Sequence, residues 1–65
     1  MNHVFILQAT YVEVEEGLLH YDIVGVYSEY EFAEREQELH LANNIGNENI
    51  ANINYQISQE YVITK

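Results

Sequence analysis

Tyr27-Ser28-Glu29-Tyr30-Glu31-Phe32 is the one strong helix-start signal in the chain, and the segments on either side of it leave few folds open. Ser28 precedes Glu31 by three residues, the spacing of a capping box, and Tyr27 and Phe32 then take the two positions of a hydrophobic staple. These signals predict a helix from about Glu29 to Ala42. It should end in Asn43-Asn44-Ile45-Gly46, where Asn and Gly readily adopt left-handed backbone. Upstream, residues 3–14 and 18–27 are rich in Val, Ile, Tyr, Phe and Leu and are separated by Glu15-Glu16-Gly17, the pattern of a β-hairpin. Downstream, Ile53, Tyr55, Ile57, Tyr61 and Ile63 alternate with Asn54, Gln56, Ser58, Glu60 and Thr64, a period of two with one wet face, interrupted only at Gln59.

The order β-β-α-β predicts an α+β fold, a three-stranded antiparallel sheet with one helix packed across it, in one domain spanning residues 1–65. Chain order alone leaves the third strand free to pair with the first or to lie beside the second. Gly25 inside the second strand predicts a bulge or a close helix approach. Residues 43–52, NNIGNENIAN, read as a connection.

A chain of 65 residues is near the lower limit for a core that folds alone, and without cysteine it has no disulfide to reinforce it. Self-association is the expected remedy. The absence of cysteine fits a reducing compartment and predicts a cytoplasmic protein. The N-terminal apolar run, Val4 to Leu7, is far too short for a signal core or a membrane span, so the chain is expected to be soluble and unprocessed.

Eleven acidic residues face only Arg35 and Lys65, for a net charge of -9. Affinity for phosphates depends on Lys and Arg releasing counterions, so this balance argues against direct binding to nucleic acid or anionic membranes. Most of the acids fall between Glu13 and Glu38, which concentrates the field on one turn and one helix and points to a basic protein partner. The plainer alternative is that acidity keeps a small protein soluble.

The segments VFILQATY, IVGVYSEYEFAE and YQISQEYVI resemble a small bacterial and phage domain family of unknown function. Gly25-Val26-Tyr27-Ser28 with Ala33 five residues on carries most of the likeness, and Gln37 stands where members of that family bury an aliphatic residue. The resemblance implies the β-β-α-β order and no particular activity. In size, charge and composition the chain also looks like the small acidic proteins that phages direct against host enzymes; if phage-encoded it would act in the host cytoplasm.

On a helical wheel Phe32 and Leu39 fall on one side, and Tyr30, Ala33 and Leu41 on roughly the opposite side, with Glu31, Glu34 and Glu38 in the arc between. One stripe suffices for a sheet, so the second predicts a protein interface; the alternative is that Tyr30 and Leu41 wrap around the sheet edge. Val4, Phe5, Ile6 and Leu7 are apolar on both faces of the first strand, which predicts that something, most simply a second copy of the chain, covers the face opposite the helix. Tyr55 and Tyr61 read as core-facing; core is the default for Tyr11, Tyr21 and Tyr30 as well, with interface anchoring as their alternative.

Catalytic signals are absent from the pattern. His3, His20 and His40 lie in different elements, and Glu36 with His40 supplies only two helical ligand types, too few for a metal. There is no cysteine nucleophile, no glycine-rich phosphate loop and no calcium-loop spacing, and Ser28 is accounted for by capping. No cofactor and no metal are expected. The sequence therefore predicts a non-enzymatic acidic protein-binding protein of the phage-inhibitor kind, acting on a host defence or nucleic-acid-handling protein. Its partner-binding residues would be Glu13, Glu15, Glu16, Glu31, Glu34 and Glu38, flanked by apolar Tyr30 and Leu41. The alternative is a homodimeric structural or regulatory module in which acidity is incidental.

Overall fold

The computed structural model describes residues 2–62 and has the order β1 (Asn2–Glu13), β2 (Leu18–Tyr27), α1 (Tyr30–Asn44) and β3 (Ile50–Val62). The α+β fold is as expected: three antiparallel strands with one helix between the second and the third. The strand order is β2-β1-β3, so the first strand is central and the third pairs with it rather than with the second.

The β1–β2 turn closes tightly because Gly17 takes a φ of 68°, which an L side chain resists, while its N–H donates to the Glu13 carbonyl at 2.7 Å. A bulge beside Gly25 shifts the β1–β2 register between Leu7 and Gln8. Gly25 itself sits under the ring of Tyr27; a methyl group there would collide with the ring and its hydroxyl. A close approach does occur, but to a tyrosine of the same strand.

The helix starts one residue later than the capping pattern predicts. Glu29 is the N-cap, in extended backbone (φ -127°, ψ 142°), and makes no side-chain cap bond; its carbonyl accepts from Phe32 and Ala33 N–H at 3.2 and 3.4 Å. Ser28 therefore caps nothing, and the staple register it implied does not form. At the other end α1 runs to Asn44, whose side-chain amide donates to the His40 carbonyl at 2.7 Å, while the Ile45 N–H donates to the Leu41 carbonyl at 3.0 Å and closes the last turn. The connection to β3 is only residues 45–49, not 43–52. Ile50 and Ala51 are already strand, and Asn52 stays within it by adopting a left-handed φ of 56° where the β1–β3 register slips between Thr10 and Val12.

Strand alternation gives the sheet two unlike faces. His3, Phe5, Leu7, Ala9, Tyr11 and Glu13 of β1 point to the helix side, along with Tyr27, Gly25, Asp22 and His20 of β2 and Tyr55 and Ile57 of β3. Leu7, Ala9 and Ala33 are the fully buried apolar residues among those described, so the packed core is one small cluster where α1 crosses the sheet. A 15-residue helix is about 22 Å long, whereas the 12 residues of β1 extend about 40 Å. Since Tyr30 packs edge-on to Phe5 and His40 bonds to Tyr55, the partner of Ala9 across the sheet, α1 covers only the half of the sheet nearer Phe5. The result is a plate of 45 × 21 × 12 Å. Its radius of gyration, 13.7 Å, exceeds the roughly 11 Å of a compact chain of this length.

Candidate interaction surfaces

Helix α1 meets the sheet through an unusually polar stripe. Ala33 is buried and Glu36, Gln37, His40 and Asn44 are half-buried, all on one side of the helical wheel. The principal polar tie is Tyr55 Oη to His40 Nδ1 at 2.6 Å, with the two rings edge to face. Nδ1 also faces the Asn44 amide, a donor, at 3.5 Å, so we assign Nδ1 as acceptor and the proton to Nε2. His40 is thus turned to Tyr55, and Glu36 and His40 do not form a ligand pair; among the described residues no cluster of three metal-ligand side chains exists.

This seating decides where the expected interface residues lie. Tyr30 and Leu41 flank the sheet-facing stripe, and the Tyr30 ring is engaged by Phe5 at 5.7 Å between centroids. Phe32 and Leu39 lie on the other flank of the helix, and all four are exposed, Tyr30 as much as Phe32. Glu31, Glu34 and Glu38 occupy the solvent side of α1, exposed, with no ion pair to Arg35 or any other cation among the described residues.

The remaining carboxylates of the expected array lie elsewhere. Glu15 and Glu16 are exposed in the β1–β2 turn, at the end of the plate that α1 does not reach. Glu13 is half-buried on the helix-side face and accepts from His20 Nε2 at 2.9 Å, the single ion pair among the described residues once His20 is protonated. Next to it the Tyr11 hydroxyl donates to Asp22 at 2.8 Å while its ring stacks on His20. Tyr11 is thus committed within the sheet. That bond to the Asp22 carboxylate, together with burial and the charges of Asp22 and Glu13, raises the Tyr11 phenol above its ordinary 10.0. Beside this network, Tyr11, Glu13, Glu15, Asn49 and Ile50 line an open trough of about 390 Å³. The sequence array therefore divides into a helix trio and a turn trio.

Two further tyrosines titrate high. Burial, followed by the charge of Glu36, raises Tyr27, and burial alone raises Tyr55. Tyr61, expected in the core, lies on the helix-side face but beyond the end of α1; it is exposed, with the His3 ring edge-on to it. Ile63 and Thr64 lie outside the described residues.

The face opposite the helix is built of cross-strand rows: Val26–Ile6–Ser58, Ile23–Gln8–Gln56, Tyr21–Thr10–Asn54 and Leu19–Val12–Ala51. Its β2 edge is bare: Leu19 is 57%, Tyr21 74%, Ile23 65% and Val26 58% exposed. Val4, Ile6 and Val12 adjoin them, half-buried. Its β3 half carries Asn54, Gln56, Ser58 and Glu60, with a polar dip of about 130 Å³ between Gln8, Thr10, Tyr21 and Asn54. Of this patch the sequence pattern marked β1 and Tyr21 but not Leu19, Ile23 and Val26. The signal was present, since Leu19, Tyr21 and Ile23 alternate along a strand whose intervening residues, His20 and Asp22, are polar.

No family model, curated protein or solved structure matches this chain. No helix among the described residues is long and apolar enough to cross a membrane.

Proposed function

We propose that the protein is a non-enzymatic protein-binding module that presents the acidic side of α1 to a basic groove on a nucleic-acid-handling or defence protein, in the manner of a phage-type inhibitor. One observation carries the reading: Glu31, Glu34 and Glu38 share the solvent side of α1, free of ion pairs among the described residues. Their spacing places three charges over about 10 Å of helix axis, about one per 5 Å, against one phosphate per 3.4 Å along a nucleic-acid strand. Tyr30 and Leu41 on one flank of the trio and Phe32 and Leu39 on the other are exposed, and supply the apolar contact that would prolong residence after charge has steered the encounter. The trough at Glu13 and Glu15 offers a basic side chain a second foothold at the far end of the plate.

The test is capture from nuclease-treated bacterial lysate at low and high salt, with the Glu31→Lys, Glu34→Lys, Glu38→Lys variant alongside. The reading expects a basic protein retained by the wild type at low salt and lost both at high salt and from the variant. Equal retention by the variant sinks it. A second reading, the homodimeric module, is favoured by a different observation: the bare apolar face on the other side of the sheet.

A further inference from the structure

We infer that the face of the sheet opposite α1 is a self-association surface, on which the β2–β1 half of one chain packs against the same half of a second copy about a two-fold axis. This inference goes beyond the acidic-face reading and does not depend on it.

Area is the first argument. A monomer of 7.6 kDa is expected to expose about 4,300 Å², whereas this chain exposes 5111 Å². The excess, about 800 Å², is what one partner contributes to a standard stable interface. Four of the large apolar side chains that stand in the open, Leu19, Tyr21, Ile23 and Val26, share this one face. A chain whose fully buried apolar residues, among those described, number three has the most to gain from covering them.

Charge distribution is the second argument, and it selects the occupant. The chain carries eleven acids, yet strand alternation places only Glu60 on this face; Glu13 and Asp22 point to the helix side, and the others lie on α1, in the turn, in the loop or at the helix entry. An approach through α1 or the β1–β2 turn would set like charges of a chain with net charge -9 against each other. Here two copies meet with their acids turned outward.

Shape completes the case. Leu19, Tyr21, Ile23 and Val26 form an apolar strip along β2 that Ile6 and Val12 extend onto β1 at its two ends; Gln8 and Thr10 between them, with Asn54, Gln56, Ser58 and Glu60 of β3, would form a wet margin. An apolar centre with a polar rim is the anatomy of a protein interface. Two such sheets pack about 10 Å apart with strands within about 30° of alignment, leaving both α1 helices on the outside.

The experiment is sedimentation equilibrium of the full chain at about 100 μM, together with the Tyr21→Glu, Ile23→Glu variant and circular dichroism of each. A wild-type mass of twice 7.6 kDa, with the variant folded and monomeric through at least about a 100-fold loss of affinity, is the expected result. A monomeric wild type overturns the inference and leaves the face to a different protein; so does a variant that stays dimeric. Should the variant fail to fold, isotope-filtered NOE measurements on a mixed-label wild-type sample decide the matter. Intermolecular contacts from the Tyr21 ring and Ile23 methyls support the pairing. Contacts from Phe32 and Leu39, or across paired β2 edges, refute it.

Discussion

Removing one oxygen atom should loosen the helix without disturbing the sheet. In Tyr55→Phe the 2.6 Å bond to His40 Nδ1 disappears while the ring that fills the space under α1 stays. The nearest remaining donor, the Asn44 amide, already holds the His40 carbonyl with one of its two hydrogens and lies 3.5 Å from Nδ1, so a half-buried imidazole nitrogen keeps only a long contact in place of its short bond. A net hydrogen bond of this kind contributes about 1 kcal/mol. In a chain this short that is a drop of about 4–8 °C in melting temperature, measured at fixed protein concentration. Because Ala33 is the one fully buried side chain that α1 contributes, the loss should be local first: exchange of α1 amides should quicken about fivefold under native conditions while β1 amides hold their protection. Tyr61→Phe is the control, since that exposed side chain has no hydrogen-bond partner among the described residues, and it should stay within about 0.5 kcal/mol of wild type. A Tyr55→Phe protein that melts like the wild type, with α1 exchange unchanged, would refute the claim that this bond pins the helix.

Three other outcomes follow from local geometry. Glu29→Ser should raise stability by about 0.5–1 kcal/mol in urea unfolding, because it places a capping oxygen where the extended N-cap backbone has none, whereas Ser28→Ala should be neutral; the opposite ranking would restore the capping box. Asn52→Val should cost about 1–2 kcal/mol, since a β-branched residue resists a φ of 56°, and Asn52→Gly should remain within about 0.5 kcal/mol of wild type; equal effects would argue against the left-handed turn in β3. In alkaline absorbance titration Tyr11, Tyr27 and Tyr55 should ionise later than the ordinary 10.0. Their folded values are raised, so the stability linked to them is complete below pH 10 and is lost as pH climbs through the folded values; a melting temperature flat above pH 10, with all phenols titrating together, would contradict this.

The order of elements was legible in the sequence because it rests on short-range signals. The apolar runs match β1 and β2 almost to the residue, and Gly17 marks their turn by a conformation that other residues avoid. What the sequence hid is non-local. Nothing within a strand's own letters says which hairpin edge β3 will join, and the Asn-rich stretch before it reads as loop because the strand carries a left-handed residue, Asn52, at a register slip. Helix seating was hidden for a similar reason. The wheel separates Phe32 and Leu39 from Tyr30, Ala33 and Leu41 correctly, but the choice of side is made by a hydroxyl on β3 that reaches His40 and by a sheet surface narrow enough to want Ala33. For the same reason the expected acidic array looks continuous in the sequence and is divided in space.

Net charge and self-association look opposed in this chain, and the layout of the plate removes the conflict. Repulsion between two copies falls off within about 8 Å at physiological salt, so what matters is which charges face each other across the contact, not the total of -9. On the proposed pairing each chain brings Glu60 at most to the margin, and the Glu31, Glu34 and Glu38 trio lies a helix and a sheet away from its counterpart. The two proposals then reinforce one another. Pairing covers the one large apolar surface that the acids avoid, and it displays the acidic helix twice, on opposite outer layers, so that a basic partner with two grooves would be held by both at an effective concentration that neither trio could reach alone.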